Sequence, residues 1–405
     1  MRQLKIARKM ALSKILFWLS LAVVIYTYIG YPLLLWLLVK LKSISIKEER
    51  PPFNTPLPEV TILIAAYNEE LYVPIKMKSI EELKWPKERL KLIWVNDGSG
   101  DKTAELLKGY PQVRLLEMAK RGGKSAALNF AIPFIDSPIV LLTDANTLID
   151  SEALTKIVEK FEDPLVGSVA GEKRIITSPE EGAAVAGEGL YWRYESAIKE
   201  LDSKLYSTVG ADGGLFAIRR DLLTPIPPDT LLDDFIISME VVKKGYKIAY
   251  CKEAFAMEHA SLSIEEEKKR KVRIAAGGVQ ASWRLRSLLN PFKRPLFAFQ
   301  FLSHRVLRWS VTPIMLFMLL PLNLYLCAKE SSFLYCMALF LQLLFYLIAI
   351  IGGLLREKKI AIKSFFIPYY FLFMNLNVIA GFNYLYKKER GEGIWEKAQR
   401  SGEKR

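Results

Sequence analysis

Apolar and polar positions divide the chain into blocks before any single residue is weighed. Residues 15–39, ILFWLSLAVVIYTYIGYPLLLWLLV, carry no charge. At about 1.5 Å per residue this block is long enough to cross a bilayer. Gly30-Tyr31-Pro32 predicts a kink within it. The block is too long for a cleaved signal peptide, and no small-residue cleavage site follows it. Residues 42–58 are polar and end in PPFNTPLP, the composition of a linker. After about residue 290 the chain is apolar again. Residues 310–327, 333–355 and 365–386 are three further candidate spans, separated by AKESS and by the basic loop REKKIAIKS. Before them, PLFAFQFLSHRVLRW mixes Phe and Leu with Arg and His. It reads as an amphipathic helix at the membrane interface, with a buried core helix as the alternative.

Between the apolar blocks the pattern is globular. VTILIAAY, from Val60, is a β-branched run without polar alternation, as in a strand covered on both faces of a parallel sheet. A charged helix-like stretch (residues 69–83), the strand LKLIWVND, the helix SGDKTAELLKGY, the strand VRLLEM, the helix GKSAALNFAIPF and the strand SPIVLLTD follow. This alternation predicts a doubly wound α/β sheet. Asn68, Asp97 and Asp144 fall at the C-terminal ends of strands, the edge where open α/β sheets bind ligands.

Composition agrees with this division. The 405 residues are 51% hydrophobic yet 25% charged, with a formal net charge of +14. A basic balance suits phosphate-bearing ligands, anionic lipid or nucleic acid. No zinc pattern and no basic run interleaved with base-stacking aromatics is present, so no nucleic-acid partner is expected. Cys251, Cys327 and Cys336 are scattered, two of them in apolar segments, and read as small hydrophobes rather than a disulfide framework.

The strand ends carry the chemistry. VTILIAAYNEE, VNDGSGDKT, KRGGKSAALNFAI and LLTDANT come in that order. Each alone is equally a turn. Together they resemble the family 2 glycosyltransferases of GT-A fold, which include cellulose, hyaluronan and chitin-oligosaccharide synthases. The likeness covers roughly residues 58–285 and extends loosely to the flanking apolar segments. It implies a membrane-bound inverting enzyme that moves a sugar from a nucleotide-sugar, with a UDP-sugar as the expected donor, to a lipid-linked or glycan acceptor.

The resemblance also implies roles. Tyr67, Asn68 and Glu69 match the loop around the uridine, and Asp97 the aspartate that accepts from the uracil ring. Lys124 matches a basic residue near the nucleotide. Asp144-Ala145-Asn146 stands where the family has Asp-x-Asp, binding Mg²⁺ or Mn²⁺ with the diphosphate. Asp144 and Asn146 are therefore the expected metal ligands. Hard oxygen donors on one tight loop suit such ions, although the Asn brings no charge. TLLDDFIISMEVVKKGYKIAY matches the segment of the catalytic base, with Leu232-Asp233-Asp234 for Thr-Glu-Asp, so Asp234 is the expected base. Two acids heading a helix also fit a plain N-terminal charge preference. VGADGGLFAIRR matches the acceptor side, with Asp212 and Gly213 as candidate contacts; for Asp212 a turn is the equal alternative. His259 is left out of the metal set. Polymerising members carry Gln-x-x-Arg-Trp after the base. Here Arg273 is present, as a candidate diphosphate contact, but Ile274 replaces the Trp. That removes a stacking surface for a growing glycan and favours transfer of one or a few sugars. A processive polysaccharide synthase is the runner-up. An inactive nucleotide-binding scaffold, kept open by Asn146 and Leu232, is the third reading.

The expected organisation is a tail and span (residues 1–41), the linker (42–58), a GT-A domain (59–290), an interfacial helix (291–309), three spans (310–386) and a basic tail (387–405). A cytosolic donor places the domain inside a multi-pass plasma-membrane protein, with both termini outside. The basic loop with Arg356, Lys358, Lys359 and Lys363 obeys the positive-inside rule. Arg2, Lys5, Arg8, Lys9 and Lys14 at the N-terminus oppose it.

Overall fold

The structure is a computed structural model that describes residues 2–45, 56–176, 182–259, 264–330, 332–357 and 362–389. Most of the linker, Lys358 and Lys359 of the basic loop, and nearly all of the C-terminal tail lie outside the described residues.

The chain opens with two helices, α1 (Arg2–Ile25) and α2 (Tyr31–Ser45), joined without a break by a π-helical turn, Tyr26–Gly30. The irregularity falls where Gly-Tyr-Pro predicted a kink. The globular part then runs β1 (Val60–Ala66), α3 (Val73–Glu81), β2 (Leu90–Asn96), α4 (Thr103–Lys108), β3 (Val113–Glu117), α5 (Lys124–Ala131), β4 (Ile139–Leu142), β5 (Thr147–Ile149), α6 (Ala153–Glu159), β6 (Val166–Ile176), α7 (Gly182–Leu205), β7 (Phe216–Arg219), α8 (Asp233–Lys243), β8 (Lys247–His259) and α9 (Ile264–Arg284). It ends in α10 (Pro295–Phe301), α11 (Leu307–Trp309), α12 (Val311–Glu330), α13 (Phe333–Glu357) and α14 (Lys363–Glu389).

The eight strands form one sheet in the order β3-β2-β1-β4-β7-β6-β8-β5. β1 pairs parallel with β2 and β4, and β2 with β3. The other half is mixed, because β7 runs antiparallel to both β4 and β6 and β5 antiparallel to β8. Both faces are covered. Ile62, Ile64 and Trp94 pack on one side; Leu63, Val95, Phe216 and Phe235 pack on the other. Double-sided burial is why β1, β2 and β4 read as unbroken apolar runs.

Among the described residues, four helices are long and apolar enough to cross a membrane: Leu4–Lys42, Val311–Glu330, Phe333–Arg356 and Ser364–Lys387. Lys14, midway along α1, pairs with Glu330 at the end of α12. Cys327 and Cys336 form a disulfide at the α12–α13 turn. This corrects the reading of them as isolated apolar thiols: the helical hairpin brings two distant-seeming cysteines to a Cα separation of 5.1 Å. Cys251 is buried and free. The segment from α10 to α11 is sandwiched between the domain and the apolar helices. Phe297 and Phe301 belong to the core beneath the sheet, and His304 is fully buried.

Candidate active site

The parallel half of the sheet brings three loops to one edge: 67–72 after β1, 97–102 after β2 and 143–146 after β4. Because β7 is antiparallel to β4, the residues entering β7 (210–215) arrive at that same edge. The N-terminus of α8 completes the ring.

The first two loops are laced together. Asn68 adopts a positive φ of 55° and donates its amide to Ser99, while its side chain accepts from the Gly100 amide. Glu69 and Glu70 donate their amides to Thr103 and Asp101. Arg121 stacks over the Tyr67 ring at 3.9 Å. Asp97 is buried and accepts the amides of Gly122 (2.6 Å) and Gly123 (2.8 Å), one on each carboxylate oxygen. Each oxygen keeps a lone pair for another donor. Gly123 heads α5 at φ 85°, a conformation that favours glycine.

The charged centre lies at the mouth of β4. Lys124, the first residue of α5, reaches Asp144 at 2.7 Å and Asp233 at 3.0 Å. A Cβ built on Gly213 would stand 3.2 Å from each of Asp144 Oδ2, Asp234 Oδ2 and Lys124 Nζ, so only glycine leaves this crossing open. Burial works against the Lys124 charge, but Asp144, Asp233 and Asp234 outweigh it and hold its pKa well above the ordinary lysine value. Asp234 is pushed up to about 7, first by burial and then by repulsion from Asp233, with Lys124 acting against both. Asp233 does not cap its helix; its carboxylate is turned inward onto Lys124. The two adjacent acids thus sit in different environments, Asp233 against Lys124 and Asp234 beside Gly213.

Other expected residues take less open positions. Asp212 pairs with the buried Lys199. Arg273, on α9, donates to the Leu231 carbonyl at 3.4 Å, just ahead of the Asp233-Asp234 pair. Asn146 is half-buried in the turn after Asp144. Thr147 pairs with Glu258 across β5 and β8, so His259 follows at the Asn146 end of that pair. Among the described residues no group of three or more His, Cys, Asp or Glu side chains is arranged to hold a metal ion. The two hard oxygen donors, Asp144 and Asn146, fit a divalent ion that binds together with a diphosphate.

One residue escaped sequence reading altogether. Lys76 lies on the buried stripe of α3 with Val73, Met77 and Ile80, where a lysine was read as part of a charged helix surface. Its ammonium is fully buried and donates to Thr143 Oγ1 (2.7 Å), Thr147 O (2.7 Å) and Thr147 Oγ1 (3.1 Å). Thr143 in turn donates to the Gly214 carbonyl at 2.7 Å. Lys76 therefore ties the Asp144 loop to the Gly213-Gly214 turn from below. The only signal was positional: Lys76 stands at i+3 from Val73 and i−4 from Ile80 in an otherwise apolar stripe.

Residues 61–225 match the family model described as glycosyl transferase family 2. The chain carries a family 2 glycosyltransferase domain. It is 27% identical over 265 residues to the poly-beta-1,6-N-acetyl-D-glucosamine synthase of Staphylococcus aureus (strain COL), a match covering 62% of this chain and 63% of that one. The match thus spans less than two thirds of that relative. The synthase of the same name from Staphylococcus epidermidis is 25% identical over 406 residues, covering 91% of this chain and 97% of that one. Among solved structures, the mannosyltransferase PcManGT from Pyrobaculum calidifontis, in complex with GDP-Man and Mn²⁺, superposes with a TM-score of 0.68 at 21% identity. That comparison covers 92% of this chain and 99% of the other. At that identity the likeness speaks for the fold. At 92% coverage the likeness in fold is not confined to the residues of the family match.

Proposed function

We propose that the protein is a membrane-embedded, inverting glycosyltransferase that moves a sugar from a nucleotide-sugar to a lipid-linked or glycan acceptor. The observation that carries this reading is the meeting of Asp144, Asp233, Asp234 and Lys124 around Gly213 at the carboxyl edge of the sheet. Asp97, Tyr67, Asn68 and Glu69 are the residues we assign to the nucleoside, with a uridine as the preferred base. The structural relative bound to GDP-Man makes guanosine the base to test beside it. Lys124 and Arg273 supply positive charge toward the diphosphate. Asp144 and Asn146 would hold a Mg²⁺ or Mn²⁺, which would supply positive charge to the diphosphate. Asp234, part-exposed beside Gly213 and titrating near neutrality, is suited to take the proton from the attacking hydroxyl. Asp212, held by Lys199, and Gly213 border the acceptor path. Attack from the far side of the anomeric carbon inverts it in one displacement and requires no enzyme nucleophile.

We assign the domain to the cytoplasmic side of a plasma-membrane protein. A disulfide at the α12–α13 turn, one bilayer crossing away from the domain, supports this, since disulfides persist on the oxidising side. A second reading, processive synthesis, is favoured by the staphylococcal relatives, which are named as polysaccharide synthases. The test is incubation of the nanodisc-reconstituted protein with a panel of radiolabelled UDP- and GDP-sugars, membrane lipid extract, and Mn²⁺, Mg²⁺ or chelator. Metal-dependent transfer supports the proposal, and product length separates the two readings. Absence of transfer or hydrolysis from every donor overturns both.

A further inference from the structure

The first apolar helix is longer than a bilayer requires. Leu4–Lys42 has 39 residues, about 58 Å of helix against a hydrocarbon core of about 30 Å. Its neighbour shows where the crossing ends. α12 packs antiparallel to α1: Lys14 pairs with Glu330 at the last residue of α12, and Thr27 bonds Thr312 at 2.9 Å in its first turn. α12 has 20 residues, about 30 Å and just enough for the core. Thr27 and Thr312 therefore mark the boundary on the domain's side. All of α2 lies beyond that boundary.

α2 is nonetheless apolar on every side. One face belongs to the domain: Leu35 is fully buried and packs with Tyr31 against Ile198 and Leu205 of α7. Lys42 donates to the Lys204 and Leu205 carbonyls at the end of α7. α7 carries Glu195, Lys199, Asp202 and Lys204, so a helix packed along it is not a span surrounded by lipid. The opposite face of α2 has no protein cover. Leu33, Leu34, Trp36, Leu37 and Leu41 are exposed, Trp36 by 52%. Lys40, on the same face, lies 5.2 Å from the Trp36 ring.

α10 lies beside α2 over the same part of α7. Asp202 accepts from Tyr31 of α2 and from Gln300 of α10, and Phe299 meets Tyr31 edge to face at 5.6 Å. Here too large apolar side chains point away from the domain: Leu296, Leu302 and, just before α10, Phe292, which is 96% exposed. The chain then continues through α11 into α12. Two adjacent helices, each continuous with an apolar crossing, thus share one bare apolar side. Contiguous patches of this kind mark interaction surfaces, and a helix apolar all round belongs in a core or in lipid. Tryptophan beside lysine suits the membrane–water interface, where the ring sits at headgroup level and the ammonium reaches water.

We propose that α2 and α10 form a foot laid into the headgroup region of the leaflet on the domain's side, and that only the part of the first helix before Tyr26–Gly30 crosses the bilayer. The π-helical turn and Pro32 are the features at which such a helix turns into the membrane plane. The partner is the lipid surface, and the proposal does not depend on the glycosyltransferase reading. α7, held beneath the foot, carries Lys199, the partner of Asp212. The foot thereby sets the height of the Gly213 edge relative to the bilayer.

The test is spin-label depth measurement on the full chain in phospholipid nanodiscs. Of the three native cysteines, Cys251 is buried and Cys327 and Cys336 are disulfide-bonded, so an introduced surface cysteine is the one that takes the label. Leu37→Cys, Leu41→Cys and Leu296→Cys probe the foot, Leu19→Cys the crossing and Leu106→Cys the water-facing domain surface. Collisions with oxygen, which enters lipid, are compared with collisions with a water-bound nickel chelate. At the three foot positions the ratio should exceed that at Leu106→Cys several-fold and stay below that at Leu19→Cys, a depth of about 5–10 Å. Three positions keep the test readable if one variant fails to fold. Values equal to Leu106→Cys at positions 37 and 41 place α2 in water and overturn the proposal. Values equal to Leu19→Cys make α2 part of the span and overturn it as well. Low collision with both reagents means burial against protein, such as a second copy, and overturns the lipid as partner. An aqueous value at position 296 alone removes α10 from the foot.

Discussion

Asp234→Asn separates base from scaffold. The substitution keeps shape and removes the proton-accepting charge. Turnover should fall by about 10²–10⁴-fold, as for loss of a general base, with donor affinity nearly unchanged. The same change has a stability consequence whose sign follows from the structure. The Asp234 carboxyl moves from 3.8 to about 7 on folding. Between those values the folded enzyme holds a proton that the unfolded chain has released, so stability falls as pH rises through the window. About three units at 1.36 kcal/mol each set an upper limit of about 4 kcal/mol. Partial exposure of Asp234 reduces this to about 1–3 kcal/mol through solvent screening. Asp234→Asn lacks that loss. From pH 5 to pH 8, in the absence of donor and metal, its melting temperature should drop several degrees less than that of wild type, at about 2–4 °C per kcal/mol. Differential scanning fluorimetry across pH, paired with kcat and KM, reads both effects. Asp233→Asn provides the contrast. It removes the repulsion that raises Asp234, so the acidic limb of the rate profile should move to lower pH rather than disappear. A kcat loss under tenfold with a melting profile parallel to wild type would exclude Asp234 as the base. Greater damage from Asp233→Asn would assign the base to the other carboxylate.

Asp144→Ala should abolish Mn²⁺-dependent binding of UDP or GDP in calorimetry; unchanged affinity removes Asp144 from the site. Lys76→Met should raise KM for the donor more than it lowers kcat, because the Asp144 loop loses its anchor while the base is untouched. Burial pushes Lys76 down to about 7. The unfolded chain therefore binds the proton up to about pH 10, wild-type stability gains with rising pH above 7, and Lys76→Met should lose that gain in a paired melting series. Deleting residues 295–405 should give an insoluble or molten domain by near-UV circular dichroism. It removes Phe297 and Phe301 from the core, and each such loss costs about 3–5 kcal/mol.

Local pattern alone determined a good part of this protein. β1 to β4, α4 and α5 were legible because each is a short apolar or capped run whose period needs no distant partner. The four apolar helices were legible for the same reason, since crossing a membrane demands length and lack of charge within one segment. The strand-end acids Asp97 and Asp144 were legible because polar residues end apolar runs there, whereas Asp234, at the start of α8, was singled out only through the resemblance of its segment to the family's. What the tertiary structure decided has a common cause, which is contact across long separations. The antiparallel half of the sheet was not read because β5 and β7 are only three and four residues long and mean little without neighbours. Asp233 and Asp234 look alike in the chain; only the arrival of Lys124, more than a hundred residues earlier, makes one an ion-pair partner and leaves the other titrating. Lys199 locks Asp212, and α3 carries Lys76 beneath a loop that no helical period anticipates. Cys327 and Cys336 became a pair only when the α12–α13 hairpin closed. Hydrophobic periodicity records which face is buried; it does not record which charge is buried against which.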